Sequence, residues 1–409
     1  MTILFLAVFS VLAADAKPAP VVLHVAPQGN DAWSGQSDRP LATLPGARDW
    51  VRRLKKAGPL PAGGVRVELH AGRYELAEPL ELTAADSGTP AAPIVYQGPK
   101  GQPAVICGGR RVKDFRPVTD PAVLARLEPA ACGKVLQADL RAQGITDYGR
   151  WARMYSAAVG ISGVGIRVAH NLIHDAPHQA ISFSGNDHLI ELNEIHNVCY
   201  ESNDAGAIYA GRNWTMRGTV IRYNYMHHLF GHEGRGCVGV YLDDMFCGTR
   251  IFGNVFYRVP RPAFIGGGRD CTVENNIFVE CVPAIHVDAR MLGWAGTPDS
   301  QEGMRRSLAA MPYQTPPWSQ RYPELPKILD DEPATPKGNV IQRNVCWGGK
   351  WDGIQAKARP YVTLRDNLVG EDPHFVDAAK LNFQLRDDSL AYRKIGFQRI
   401  PVEKIGLEK

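Results

Sequence analysis

Val168-Ala-His-Asn171-Leu-Ile173 is followed by Ile190-Glu-Leu-Asn193-Glu-Ile195, Ile221-Arg-Tyr-Asn224-Tyr-Met226 and Ile251-Phe-Gly-Asn254-Val-Phe256. The phrase returns around Asn276, Asn344 and Asn367, with Val273, Ile341 and Leu364 three places before and Phe278, Cys346 and Val369 two places after. Successive asparagine numbers differ by 22, 31, 30, 22, 68 and 23, so a unit of about 22 residues recurs with occasional inserted loops. A period that short suits one coil of a solenoid. Each unit holds two or three β-rich runs that alternate with period two, and little with helical spacing. A leucine-rich repeat would need its leucine consensus, and here the apolar slots mix Val, Ile, Phe and Met. The reading is an all-β, right-handed parallel β-helix, in which equivalent residues stack at the strand spacing of about 4.8 Å. Stacked asparagines can then form an internal amide ladder while aliphatic columns fill the core. Their alternative role is as turn formers that tolerate left-handed backbone, and the two roles are compatible.

The flanks divide as follows. Residues 1–16 read as an export signal, an apolar run from Ile3 to Ala13 closed by Ala14-Asp-Ala16. This predicts a secreted or periplasmic protein. Residues 17–118 hold an N-terminal cap and the first coils, with a helix near Leu44 to Ala57, capped by Thr43, that plugs the open end. Residues 119–160 form an irregular connector, 161–289 the central coils, 290–337 a long excursion rich in proline with a short helix at Gln301 to Met311, and 338–400 the last coils. The charged tail 401–409 is expected to leave the fold.

Across 409 residues the formal charge is only +4, which gives no basis for binding nucleic acid or an anionic membrane. No apolar stretch approaches the length of a membrane span. A neutral polysaccharide or oligosaccharide partner is expected, and the chain reads as a monomer. Eight cysteines without a CxxC pair argue against zinc; Cys346 falls in a core column, and Cys199, Cys247, Cys271 and Cys281 are read as buried thiols. His174, His196, His227 and His228, just after the asparagines, are expected as turn residues on another face. Lacking a convergent set, they imply no metal, and no cofactor is expected.

Aligning the runs before each asparagine phrase stacks Ile181 to Gly185, Ile208 to Arg212, Val240 to Asp244, Phe264 to Gly268 and Ile285 to Ala289. If Ile181, Ile208, Val240, Phe264 and Ile285 point inward, then Ser182, Tyr209, Tyr241, Ile265 and His286 point out, as do Ser184, Gly211, Asp243, Gly267 and Asp288. This face is an open trough of sugar size. Tyr209, Arg212, Trp214, Tyr241, His286 and Asp288 are its candidate substrate contacts, and Trp214 could equally pack a loop. The Gly-rich loop from Phe230 to Gly239, with His232 and Glu233, lies beside the trough as a candidate gate. Glycosidic hydrolysis needs a proton donor and a second carboxylate, and Glu201, Asp204, Asp243, Asp244 and Asp288 cluster here. Asp243, Asp244 and Asp204 are the catalytic candidates, Asp244 more readily a turn residue than Asp243. Turn capping is the ordinary alternative for each acid.

The stretches Asp204-Ala-Gly-Ala-Ile-Tyr-Ala-Gly-Arg-Asn-Trp-Thr215, Val220 to Asn224, Gly239-Val-Tyr-Leu-Asp-Asp244, Ile251 to Phe256, Phe264 to Asp270 and Ala284 to Arg290 resemble the core of glycoside hydrolase family 141. Val25-Ala-Pro-Gln-Gly-Asn-Asp31 resembles the opening of many exported β-helix proteins. The resemblance implies α-L-fucosidase or xylanase activity and a catalytic aspartate pair, carried onto Asp204 and onto Asp243 or Asp244. Carboxyls about 5 Å apart would retain anomeric configuration, and about 6.5 to 9.5 Å would invert it. Relatives of this type usually carry a long middle section between the segments like Gln137 to Tyr148 and Arg150 to Gly163; here the two are joined directly. Two other readings stand beside the hydrolase. One is a polysaccharide lyase, which would want clustered acids for calcium and a Lys or Arg base; the other is a non-catalytic carbohydrate-binding or structural solenoid.

Overall fold

The computed structural model describes residues 18–76, 78, 80–107, 112–143 and 157–407. The export segment and the junction near Arg150 lie outside the described residues.

The amide ladder is continuous. Each side-chain NH2 donates to the next Oδ1, from Asn171 through Asn193, Asn224, Asn254, Asn276 and Asn344 to Asn367, at 2.9–3.0 Å. The same oxygens accept from backbone N–H groups one coil earlier, so the buried turn leaves few polar atoms unpaired. The left-handed residue is not the asparagine itself but its predecessor: His170, Leu192, Tyr223, Gly253, Asn275, Arg343 and Asp366 have φ between 52° and 63°. The asparagine column therefore braces a strained corner that its neighbour makes.

Strands run parallel from coil to coil in three long sheets of ten, nine and seven strands, a right-handed parallel β-helix. The ten-stranded sheet carries the column Val168, Ile190, Ile221, Ile251, Val273, Ile341 and Leu364 in register. The nine-stranded sheet carries Ile173, Ile195, Met226, Phe256, Phe278, Cys346 and Val369. Stacking begins earlier than the repeat does, because Val21–Val25 already pairs with Val65–Leu69. Helix Leu44–Ala57 starts at Thr43, whose hydroxyl accepts from Gly46 N–H, and buries Leu44, Ala47 and Val51 against the first coil.

Ile94–Gln97 and Ala104–Cys107 pair directly with Arg167–Ala169 and Leu172–Ala176. The stack is thus continuous across the connector, whose described part holds two short helical turns, Pro121–Leu124 and Pro129–Ala131, and the strand Leu136–Gln137 that pairs back with Arg116–Pro117.

Two expectations are corrected. The tail does not leave the fold: Gly406 N–H donates to Leu192 O, and Gly406 O lies 3.2 Å from His170 Nδ1. Its apolar residues supply the reason, since Val402 and Ile405 pack beside Tyr223 and Tyr225. The histidines are not turn residues either. His174, His196 and His227 lie within strands and only His228 has left-handed backbone, because the strands after Asn171, Asn193 and Asn224 extend at least to the third residue beyond them. Cys199, Cys247, Cys271, Cys281 and Cys346 are buried.

Candidate active site

The seven-stranded sheet forms the trough floor, in chain order Leu80–Leu82, Val159–Val164, Ile181–Asn186, Gly206–Gly211, Val238–Asp243, Ala263–Gly266 and Ile285–Asp288. One register is corrected. Val240 pairs with Ala263 and Tyr241 with Phe264, so the outward column is Ser182, Tyr209, Tyr241, Phe264 and His286. Sequence reading had placed the large Phe264 inward and Ile265 out. Small Ala263 fills the inward slot instead, and Phe264 stacks on Tyr241 with centroids 4.7 Å apart. The next outward column accordingly contains Gly266, opposite Asp288, rather than Gly267.

Gly266 explains the centre of the site. A Cβ there would come within 2.7 Å of the Arg290 guanidinium, so the missing side chain is what lets that cation lie over the sheet. Arg290 donates to Asp288 as a fork, through Nε at 3.0 Å and Nη2 at 2.7 Å, and through Nη1 to Asp243 and to Asp244 at 2.8 Å. Burial works against its charge, but the hydrogen bond and field of Asp288, helped by Asp244, raise its pKa above the usual arginine value. All three acids and the arginine are nearly inaccessible. The one guanidinium thus pairs with three carboxylates in a place that would otherwise reject charge.

The remaining oxygens have assigned donors. Asp243 accepts from Tyr209 OH at 2.9 Å, and Asp244 accepts from Nε of the exposed Arg212. Asp204 stands exposed before its strand, accepting from Tyr241 OH at 3.4 Å. Burial, and secondarily Asp243, hold the Tyr241 phenol well above its ordinary range, so it remains a donor. Tyr209 and Tyr241 meet edge to face with centroids 5.6 Å apart, and each contacts one aspartate. Burial depresses the pKa of His286, which partly faces the trough as a neutral ring at pH 7.

The candidate contacts thus divide. Tyr209, Arg212, Tyr241 and His286 share the trough face with Asp204 and Asp243. Asp288 holds Arg290 with both oxygens rather than facing a ligand. Trp214 is corrected: it is 1% exposed and packs with Met245, Met291, Met304 and Leu308, anchoring the excursion. The chain leaves its strand at Gly211 and turns over the corner there, carrying the indole under helix Pro298–Ala309. The loop around His232 forms a single 3-10 turn, with Gly231 close to Asn203 and hence beside the segment bearing Asp204.

Sequence reasoning missed three residues. Arg290 was placed at the start of the excursion, with no signal that it folds back. Trp294, 72% exposed, lies with Arg290 5.5 Å from its ring centroid and offers the trough an aromatic wall. Gln179 is fully buried beneath a cleft of about 550 Å³ that continues the trough over Glu81, Ser182, Ser184 and Arg212, and among the described residues neither atom of its amide has a hydrogen-bond partner. A buried amide without a partner points to a ligand, a signal invisible before folding.

No protein-family profile matches the chain, and neither does any curated protein. Solved structures align over most of its length at low similarity. A pectate lyase shows 11% identity, 91% coverage of both chains and a TM-score of 0.44. A glycoside hydrolase shows 11% identity, 84% coverage of this chain and 99% of its own, with a TM-score of 0.40. A rhamnogalacturonan lyase shows 12% identity, 94% and 99% coverage and a TM-score of 0.31. Among the described residues no helix is long and apolar enough to cross a membrane.

Proposed function

We propose that the chain is a glycoside hydrolase acting on plant or algal polysaccharide or oligosaccharide, of the α-L-fucosidase or xylanase type. One observation carries the reading: Asp204 and Asp243 bind the hydroxyls of two touching tyrosines, one acid exposed and the other buried against Arg290. Two carboxylates in unlike surroundings can divide acid and base roles. Asp243, held between Arg290 and Tyr209, acts as nucleophile or base; Asp204, at the exposed edge of the trough, acts as the acid at the leaving oxygen. Asp244 steadies Arg290 and Arg212. The aromatic column and Trp294 offer sugar rings apolar faces, while Ser182 and Ser184 offer hydroxyl groups polar contacts.

The test is release of reducing ends or free fucose from a panel of xylans and fucosylated glycans, repeated with Asp204→Asn and Asp243→Asn. A hydrolase loses turnover in both variants while retaining substrate binding. Unsaturated products absorbing near 235 nm would make it a lyase, and binding without turnover in the unmodified protein would make it a carbohydrate-binding solenoid.

A further inference from the structure

The outer face of the nine-stranded sheet changes character along the stack. The third position after each asparagine carries His174, His196, His227, Tyr257, Val279 and Trp347 in register. Tyr257, Val279 and Trp347 are apolar or aromatic where the ribbon Phe375–Asp377 with Asn382–Leu385 and the following segment cover them. The imidazoles occupy the coils beyond that cover. Their rings stack at 4.9 Å from His174 to His196 and 4.8 Å from His196 to His227. In the neighbouring outward column, two residues before His196, stands Glu194.

We propose that Glu194, His196 and His227 form a binding site for a divalent transition-metal ion, on a sheet distinct from the trough. One ligand atom from each lies within 4.8 Å of the others, and Glu194 Oε1 is 3.3 Å from His227 Nε2. Ligands on one tetrahedral zinc, each about 2.0–2.1 Å from the metal, sit about 3.3 Å apart, so this edge already has the needed length and His196 must swing by about an ångström. The other ring nitrogen of His227 lies 2.7 Å from His228 Nδ1. His228 thus orients the His227 ring with Nε2 toward the Glu194 carboxylate, as a metal-ligating imidazole is oriented by a partner on its other nitrogen. His174 is excluded from the set because its Nδ1 is 2.7 Å from Asp175. Two imidazoles and one carboxylate suit zinc or its neighbours rather than calcium or magnesium, and leave room for water. The site would join two coils just where the tail ends, since Gly406 lies against Glu194.

The experiment is calorimetric titration of the chelator-treated full chain with Zn2+. One site of micromolar or tighter Kd is expected, weakened at least tenfold by Glu194→Gln, His196→Ala or His227→Ala and changed less than twofold by His174→Ala. The pair His24 and His70, 3.2 Å apart at the other end of the molecule, serves as control, and His24→Ala should also leave the affinity within twofold. Cu2+ bound to the unmodified chain should show two nitrogen ligands by electron paramagnetic resonance, a readout independent of any variant's folding. Zinc affinity in His196→Ala and His227→Ala unchanged from the unmodified chain, loss in His24→Ala instead, or no binding tighter than millimolar would overturn the proposal.

Discussion

The Tyr209 hydroxyl donates to Asp243 across one coil boundary, at 2.9 Å, while the other oxygen of that carboxylate is held by Arg290. The acid is therefore fixed in orientation before any ligand arrives. Asp243→Asn removes the charge but not the shape. It should lower kcat about 10²- to 10⁴-fold with KM changed severalfold at most, as measured on whichever glycan the unmodified protein cleaves.

Arg290→Met should cost about 3–5 kcal/mol in urea unfolding, because it leaves Asp243, Asp244 and Asp288 buried without their shared cation. Adding Asp288→Leu should recover part of that loss, giving a non-additive pair. Full additivity would mean the cluster is not the unit described.

In the asparagine column, position decides cost. Asn224 is fully buried, accepts from the main-chain and side-chain nitrogens of Asn193, and donates to Asn254, Ile190 O and Arg222 O. Asn224→Ala strands several of these groups and should cost about 3–5 kcal/mol at about 1–3 kcal/mol for each buried group left unpaired. Asn367→Ala, at the edge of the ladder, should cost about 1–2 kcal/mol. Parallel chemical denaturation of the two variants checks the ratio.

The two tryptophans should separate packing from binding. Trp214→Ala should destabilise by about 3–5 kcal/mol and speed hydrogen exchange across 298–328. Trp294→Ala should leave stability within about 0.5 kcal/mol and weaken oligosaccharide binding about tenfold. Thermal melts and calorimetry read both.

Stability should fall at alkaline pH. Burial pushes the Tyr322 phenol up to about 12, and Tyr74, Tyr96, Tyr225 and Tyr241 are raised in the same direction by the same cause. Unfolded tyrosines ionise near pH 10. The folded state thus binds more protons above that point, and its stability, fully present below about pH 10, is lost progressively as pH rises toward 12 and beyond. Unfolding midpoints from pH 8 to 12 should decline, and Tyr322→Phe should flatten the slope.

The coils were legible because their signal is periodic. Val168 to Leu364 and Ile173 to Val369 obey one spacing, so core and ladder follow from the residues alone. The trough was legible in outline, since strict alternation gave Tyr209, Tyr241 and Asp243 their face. It failed at Ala263-Phe264, where two apolar neighbours compete for one inward slot and size misled the choice. Arg290, Trp294 and Gln179 stayed hidden because their roles depend on a loop returning to the sheet, on exposure and on an unmade hydrogen bond, none of which has a period. The tail's charges point outward from the fold, whereas Val402 and Ile405 carry its packing.

That returning tail bears on how the molecule is made. Coils can settle one upon the next as the chain leaves the ribosome, each needing only its predecessor. The corner at His170 and Leu192 is different: it meets Gly406, whose carbonyl lies 3.2 Å from His170 Nδ1 across 236 residues. That corner must therefore wait, half-finished on one side, until Gly406 has been made, and a ribosome-stalled fragment lacking residues 401–407 should remain protease-sensitive around His170 and Leu192.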